Sequence, residues 1–130
     1  MKLLKFSALI TIIFSCNFSP ETFKEGKLVY ETYCSGCHGA QMDGLRDLYP
    51  GLKDVLWYDQ NRSQIPCWIK KGITTERLRK GKQEMPAHTE LSNIQICNVL
   101  NYLNSNTWNL KVPFTIEEIN LAIKECTNQK

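Results

Sequence analysis

The chain has 130 residues, 16 Lys and Arg against 13 Asp and Glu for a formal net charge of +3, and six cysteines. That length supports one small domain, and a balance so near neutrality excludes the basic surface of a nucleic-acid binder. Apolar content is ordinary at 42%, with no internal repeat and no low-complexity run.

Residues 1–15 do not read as part of the fold. Lys2 and Lys5 make a positive head, Phe6 to Phe14 an apolar run, and Ser15 places a small side chain before Cys16, the layout of an export signal. The run rises only about 14 Å as a helix, too short to span a bilayer. Ile13-Phe14-Ser15-Cys16 resembles a bacterial lipoprotein signal, which implies cleavage before Cys16 and lipid on its thiol. An ordinary secretory peptide is the competing reading. Removing residues 1–15 leaves 14 basic against 13 acidic residues, net +1, and export makes disulfides permissible. The expected division is a signal peptide over 1–15, a tether over 16–22, a domain over 23–108 and an extension helix over 109–130 packed on it.

The first helix is expected to start at Ser19 as cap, with Pro20 and Glu21 in its first turn. Phe23, Gly26, Tyr30, Tyr33 and Cys37 then recur at helical spacing, and Gly26 predicts close approach by a helix near Tyr102. This stripe runs into Cys34-Ser35-Gly36-Cys37-His38. Two thiols on neighbouring turns, followed at once by an imidazole, are the attachment pattern of a c-type haem, each thiol forming a thioether and His38 ligating the iron. A redox dithiol and half of a zinc site compete with it. The first wants a strand-to-helix context and the second another ligand pair, and neither is visible in the sequence.

From Gly39 to Asp59 the pattern dissolves into turns around Gly44, Pro50 and Gly51, with one short helical piece. The Pro50 carbonyl is a candidate acceptor for the His38 Nδ1 proton. Trp57 and Arg62 are candidate haem contacts through a propionate, or else core and solvated side chains respectively. Asn61 to Lys71 reads as a second helix stopped by Gly72, with Ile65, Trp68 and Ile69 on one face and Cys67 pointing away from it. Residues 70–82 carry Lys70, Lys71, Arg77, Arg79, Lys80 and Lys82 against Glu76, a basic rim suited to an acidic redox partner or a merely solvated loop.

Met85-Pro86-Ala87-His88 follows. The Met85 thioether is the candidate sixth iron ligand, stiffened by Pro86; Met42 and His88 are the alternatives, and Met42 lies too near His38 in sequence to reach the other face. Leu91 to Asn104 is a third helix, capped by Thr89 or near it, with Leu91, Ile96, Val99, Leu100, Tyr102 and Leu103 forming its apolar sector. A turn holding Trp108 precedes a last helix with the capping box Thr115 to Glu118, and Ile116, Ile119, Ile123 and Cys126 align along it.

Together these residues resemble class I cytochrome c domains. The resemblance rests on Gly26 to Tyr33, Cys34-Ser35-Gly36-Cys37-His38-Gly39, Pro50-Gly51-Leu52, Ile69 to Ile73, Met85-Pro86 and Leu91 to Leu103, roughly residues 23–108. It implies an all-α bundle around one covalent haem c, with first and last core helices crossing at Gly26 and Tyr102. Cys34 and Cys37 would be the thioether sites, His38 the proximal ligand and Met85 the distal one. The implied activity is single-electron transfer between redox proteins, with the chain lipid-anchored in a bacterial cell envelope and facing the periplasm. A ligand-binding or peroxidase-like haem protein with an open sixth position, and a subunit of a larger respiratory oxidoreductase, are the other readings. With Cys16, Cys34 and Cys37 assigned, Cys67, Cys97 and Cys126 remain. A Cys67–Cys126 disulfide pinning the last helix to the core, with Cys97 free, is the expectation, and Cys67–Cys97 is the alternative.

Overall fold

The computed structural model describes residues 21–74 and 83–128. The signal segment, Cys16, the Ser19 cap and Arg77 to Lys82 of the basic stretch lie outside the described residues. The described chain is all-α: α1 (Glu21–Val29), a π-helical turn (Tyr30–Cys34), α2 (Ser35–His38), α3 (Val55–Gln60), α4 (Ile65–Lys71), α5 (Asn93–Leu103), a second π turn (Asn104–Trp108) and α6 (Ile116–Asn128). Among these residues the extended pairing is confined to two isolated bridges, Leu45 with Tyr49 and Ile73 with Met85, and no helix is long and apolar enough to cross a membrane.

α1 lies across α5, and Gly26 is what lets it. A Cβ at Gly26 would stand 2.2 Å from the Asn98 carbonyl oxygen and 2.7 Å from the Tyr102 Cβ, so any side chain there must separate the two helices. One turn on, Tyr30 is 1% exposed and its ring meets Tyr102 at 5.8 Å between centroids. The core grows from this crossing through Val99, Leu100, Ile96 and Leu103 of α5, and Ile119 of α6 closes it, with Ile96, Leu100 and Ile119 fully buried.

Two helix boundaries differ from expectation. The predicted helix from Asn61 begins instead at Ile65, after a run of turns from Asn61 to Gln64. Pro66 sits in the first turn of α4, where its missing N–H costs nothing; a helix continuing back to Asn61 would need that N–H to reach the Arg62 carbonyl. α5 starts after Ser92 rather than near Thr89. Ser92 Oγ accepts the Gln95 amide at 3.2 Å while Gln95 Oε1 accepts the Ser92 amide at 2.9 Å, a complete capping box. The predicted turn at Trp108 is a helical continuation of α5 through the second π turn, which ends at Asn109 in the left-handed region (φ 51°). α6 opens as expected, with Thr115 Oγ1 accepting the Glu118 amide at 3.2 Å. The Glu118 carboxylate does not return to complete a box; it goes to Arg62.

α6 packs on α4 and α5 through Ile119, Ala122 and Cys126, all buried. Cys126 is disulfide-bonded to Cys67 of α4 with Cα atoms 5.7 Å apart, and Lys71 Nζ donates to the Cys126 carbonyl at 2.5 Å. Cys97 is a free, buried thiol.

Candidate cofactor site

The helix that begins at Glu21 does not run to His38 as an α-helix of constant pitch. Its π turn from Tyr30 to Cys34 inserts extra backbone immediately before the two thiols, a distortion that recurs at functional sites because it re-aims the side chains that follow. The helix ends at Gly39, whose φ of 79° and ψ of 149° belong to a region reserved for glycine. The Tyr30 hydroxyl donates to the Gly39 carbonyl at 2.6 Å, tying the core to the end of the motif.

His38 is held by its ring. Nδ1 lies 2.9 Å from the Pro50 carbonyl oxygen, and a carbonyl can only accept, so Nδ1 carries the proton and Nε2 keeps its lone pair. Burial holds the His38 pKa below the usual imidazole value, opposed by the Pro50 hydrogen bond and reinforced by nearby His88. The ring is thereby kept in the neutral form, the one a metal can use. Burial pushes the Cys34 thiol up to about 11, with Cys37 adding to the effect. A thioredoxin-like dithiol needs the reverse, a thiol pKa lowered toward neutrality. Among the described residues no group of three His, Cys, Asp or Glu is placed to hold a metal ion, so none of them adds the further ligands of a zinc site to the pair.

Cys34, Cys37 and His38 border a cleft that is partly open to solvent. Its other sides come from elements far away in sequence: Tyr49, Pro50 and Leu52 of the loop after the motif, Tyr58 of α3, Ile65, Trp68 and Ile69 of α4, Met85 and His88, Leu100 and Leu103 of α5, and Trp108. The lining is overwhelmingly apolar and aromatic, with the imidazoles of His38 and His88 and the thioether of Met85 among it, and with His38 and Met85 on different elements, a donor set that suits an iron porphyrin.

The Met85 side is a loop whose backbone is fixed by α4. Ile73 and Met85 exchange both backbone hydrogen bonds, at 2.9 and 3.1 Å, and the His88 amide donates to the Ile69 carbonyl at 3.0 Å. Gly72, at φ 77° and ψ 179°, is again in glycine-only territory. A Cβ there would come within 2.5 Å of the Met85 carbonyl oxygen and 2.9 Å of the Ala87 nitrogen. The two rival ligands part company here. Met42 is buried at 5% exposure, in the core and away from the cleft lining, at φ 60°. His88 does border the cleft, its ring edge-on to Tyr33 at 5.7 Å and its Nδ1 3.3 Å from Glu90 Oε1.

Trp57 borders the cleft while 43% exposed, its ring stacked on Trp68 at 5.2 Å. Arg62, the other candidate propionate partner, is elsewhere. Its guanidinium donates to Glu118 at 2.6 and 2.9 Å and to the Val112 and Pro113 carbonyls at 2.9 Å each, and lies 3.9 Å over the Phe114 ring. This planar fork is committed to a carboxylate, two carbonyls and an aromatic face, and Arg62 does not border the cleft. Sequence reading missed Trp108 as a site residue, because the turn assigned to it conceals a helix: Trp108 is 3% exposed, donates from Nε1 to the Leu52 carbonyl at 2.6 Å and stacks on Tyr58 at 4.7 Å. The neighbouring Asn104 and Asn109, residues suited to closing and ending a helix, were the available signal.

The family model described as cytochrome C oxidase, cbb3-type, subunit III matches residues 21–103, about two thirds of the chain, and the chain belongs to this family of c-type monohaem cytochromes. Membership implies a covalently bound haem c and a part in electron transport. No curated protein matches the chain. The matched span ends with α5 and leaves Trp108, Phe114 and α6 outside it.

Proposed function

We propose that this protein is a membrane-tethered c-type monohaem electron carrier of the bacterial cell envelope, with Cys34 and Cys37 as thioether sites and His38 and Met85 as the axial ligands. Haem supplies the one-electron chemistry. The chain's residues do the rest. Pro50 holds His38 in the tautomer that presents Nε2, the Ile73 bridge fixes the backbone that carries the Met85 thioether, and the aromatic lining makes the cleft apolar. With His38 and Met85 both holding the iron, no position on it would be left for a substrate, which favours carrying electrons over catalysis.

The observation that carries this reading is the pairing of a neutral, carbonyl-anchored imidazole with a backbone-pinned thioether on the border of one apolar cleft. The test is a spectrum and mass of the mature holoprotein made in a host that attaches haem. One covalent haem and a far-red thioether-to-ferric band, insensitive to modest cyanide, are expected. A band that is absent, with cyanide binding readily, would replace the carrier with a protein whose sixth position is open.

Tethering through lipid on Cys16 follows from the residues before it, and a mass matching the polypeptide from Cys16 plus acyl chains is its check. Docking of an acidic redox partner is supported by the charge of residues 70–82, in which the ammonium groups of Lys70 and Lys71 donate to neutral backbone carbonyls and keep their charge. A second reading, a cytochrome subunit within a larger respiratory oxidoreductase, is favoured by the words of the family's description. Recovery of a stoichiometric complex under mild detergent would choose it over the free carrier.

A further inference from the structure

Lys70 is the residue of α4 whose side chain turns toward the Met85 segment. Its Nζ donates to the Thr89 carbonyl at 2.8 Å and to the Leu91 carbonyl, the two acceptors flanking Glu90 at the far end of the stretch that Met85 begins. At the near end, Ile73 and Gly72 hold Met85 itself; between them, the Ile69 carbonyl takes the His88 amide. The whole span from Met85 to Leu91 is therefore laid along the last turn of α4, and Lys70 closes it. Glu90 nearby is exposed, pairs with His88 and also feels the charge of Lys70. Lys71, one position on, makes the same kind of bond in another direction, to Cys126 of α6.

We infer that Lys70 is a positioning residue for the sixth iron ligand: its ammonium fixes the loop end that keeps the Met85 thioether at the cleft, and it does so without touching the cofactor. This rests on Met85 being that ligand. Replacing the ammonium releases two carbonyls from a charge-assisted donor, and a loop freed at one end yields its ligand to a competitor more easily.

The experiment uses ferric holoprotein and imidazole as the competing ligand, with the far-red band and the melting temperature read in parallel. Lys70→Met, which keeps the apolar stem, is expected to bind imidazole about tenfold more tightly than the unmodified protein and to lose part of the band. Lys70→Arg restores both. Lys71→Met lowers the melting temperature but raises imidazole affinity far less than Lys70→Met does, separating a direct hold on Met85 from loss of stability in general. Equal imidazole affinity in Lys70→Met and the unmodified protein, or an equal gain in Lys71→Met, overturns the inference. So does failure of both Lys70→Met and Lys70→Gln to mature with haem, which would make Lys70 a folding residue. Met85→Ala tells the two levels apart: if it changes neither the band nor the imidazole affinity, Met85 is not the ligand and the underlying assignment falls, whatever Lys70 does.

Discussion

The cleft has two working sides built by different means. The side bearing Cys34, Cys37 and His38 is one helix with a π turn that lies on α5 as a body but whose last turns are tied locally: Thr32 and Ser35 return hydroxyls to carbonyls four residues back, and Tyr30 bonds to Gly39. The side bearing Met85 has no helix of its own and hangs from the end of α4, which is in turn bound to α6 by the Cys67–Cys126 disulfide and by Lys71. Both sides pass through a glycine that only glycine can occupy, Gly39 and Gly72, yet the spacing of the first side's thiols and imidazole is set within one helix, while the second side's loop takes its shape from contacts across the fold. Damage to the first should cost the cofactor or the fold, and damage to the second should cost ligation while haem stays attached.

The most severe break is in the first side. Cys34→Ala with Cys37→Ala is expected to abolish covalent attachment, read as haem extractable into acidified organic solvent; haem that stays with the polypeptide would remove the premise of the comparison. Next is Gly26→Leu, which drives a side chain into the Asn98 carbonyl and Tyr102 and should destabilise by about 3 kcal/mol or prevent folding, measured by denaturant unfolding. Gly72→Ala acts on the second side. Backbone strain of about 1–3 kcal/mol and a methyl group against the Met85 carbonyl should weaken the far-red band while covalent haem remains. Equal loss of haem in Gly26→Leu and Gly72→Ala would mean that the two sides are not mechanically distinct.

This division also explains what the sequence made legible. The C-x-x-C-H motif, its helix and the Gly26 crossing are local patterns of spacing and residue type, so they could be read directly. Met85 could be named from its chemistry in a polar stretch, but its support by Gly72, Ile73 and Lys70 comes from pairing between segments a dozen or more residues apart. The partners of Arg62 were hidden for the same reason. They are 50 to 56 residues downstream, and no periodicity connects a guanidinium to a carboxylate on another helix. Trp108 was hidden by a change of helical pitch, since a π turn breaks the spacing by which an apolar face is recognised.

The disulfide tests how far the second side leans on α6. Cys67→Ser with Cys126→Ser should cost about 2–4 kcal/mol of stability and a smaller part of the far-red band, since Lys71 and the buried Ile119 still hold α6 in place. A loss of the whole band would make the extension part of the ligand's support rather than a brace behind it.

Cys97 offers the smallest effect and the sharpest control, because it belongs to neither side. Its thiol, between α5 and the segment leading into α6, donates to the Phe114 carbonyl at 3.5 Å and accepts from Asn101 at 3.6 Å. Burial raises its pKa above the ordinary thiol value, with Glu118 and Glu117 adding to the shift. In alkaline solution the unfolded chain releases this proton while the folded chain retains it, so the folded state binds more protons and stability falls as pH rises through the ordinary thiol range. Below that range the stabilising contribution is fully present. Tyr30, raised to about 12 chiefly by burial, acts with the same sign at higher pH, so the comparison is between the unmodified protein and Cys97→Ala. The variant should show a shallower decline in melting temperature from about pH 7 to about pH 9.5, with an unchanged far-red band at neutral pH. An identical decline in both would mean that Cys97 ionises as freely folded as unfolded, contrary to its burial under Phe114; a changed band would mean that packing behind α5 reaches the ligands after all.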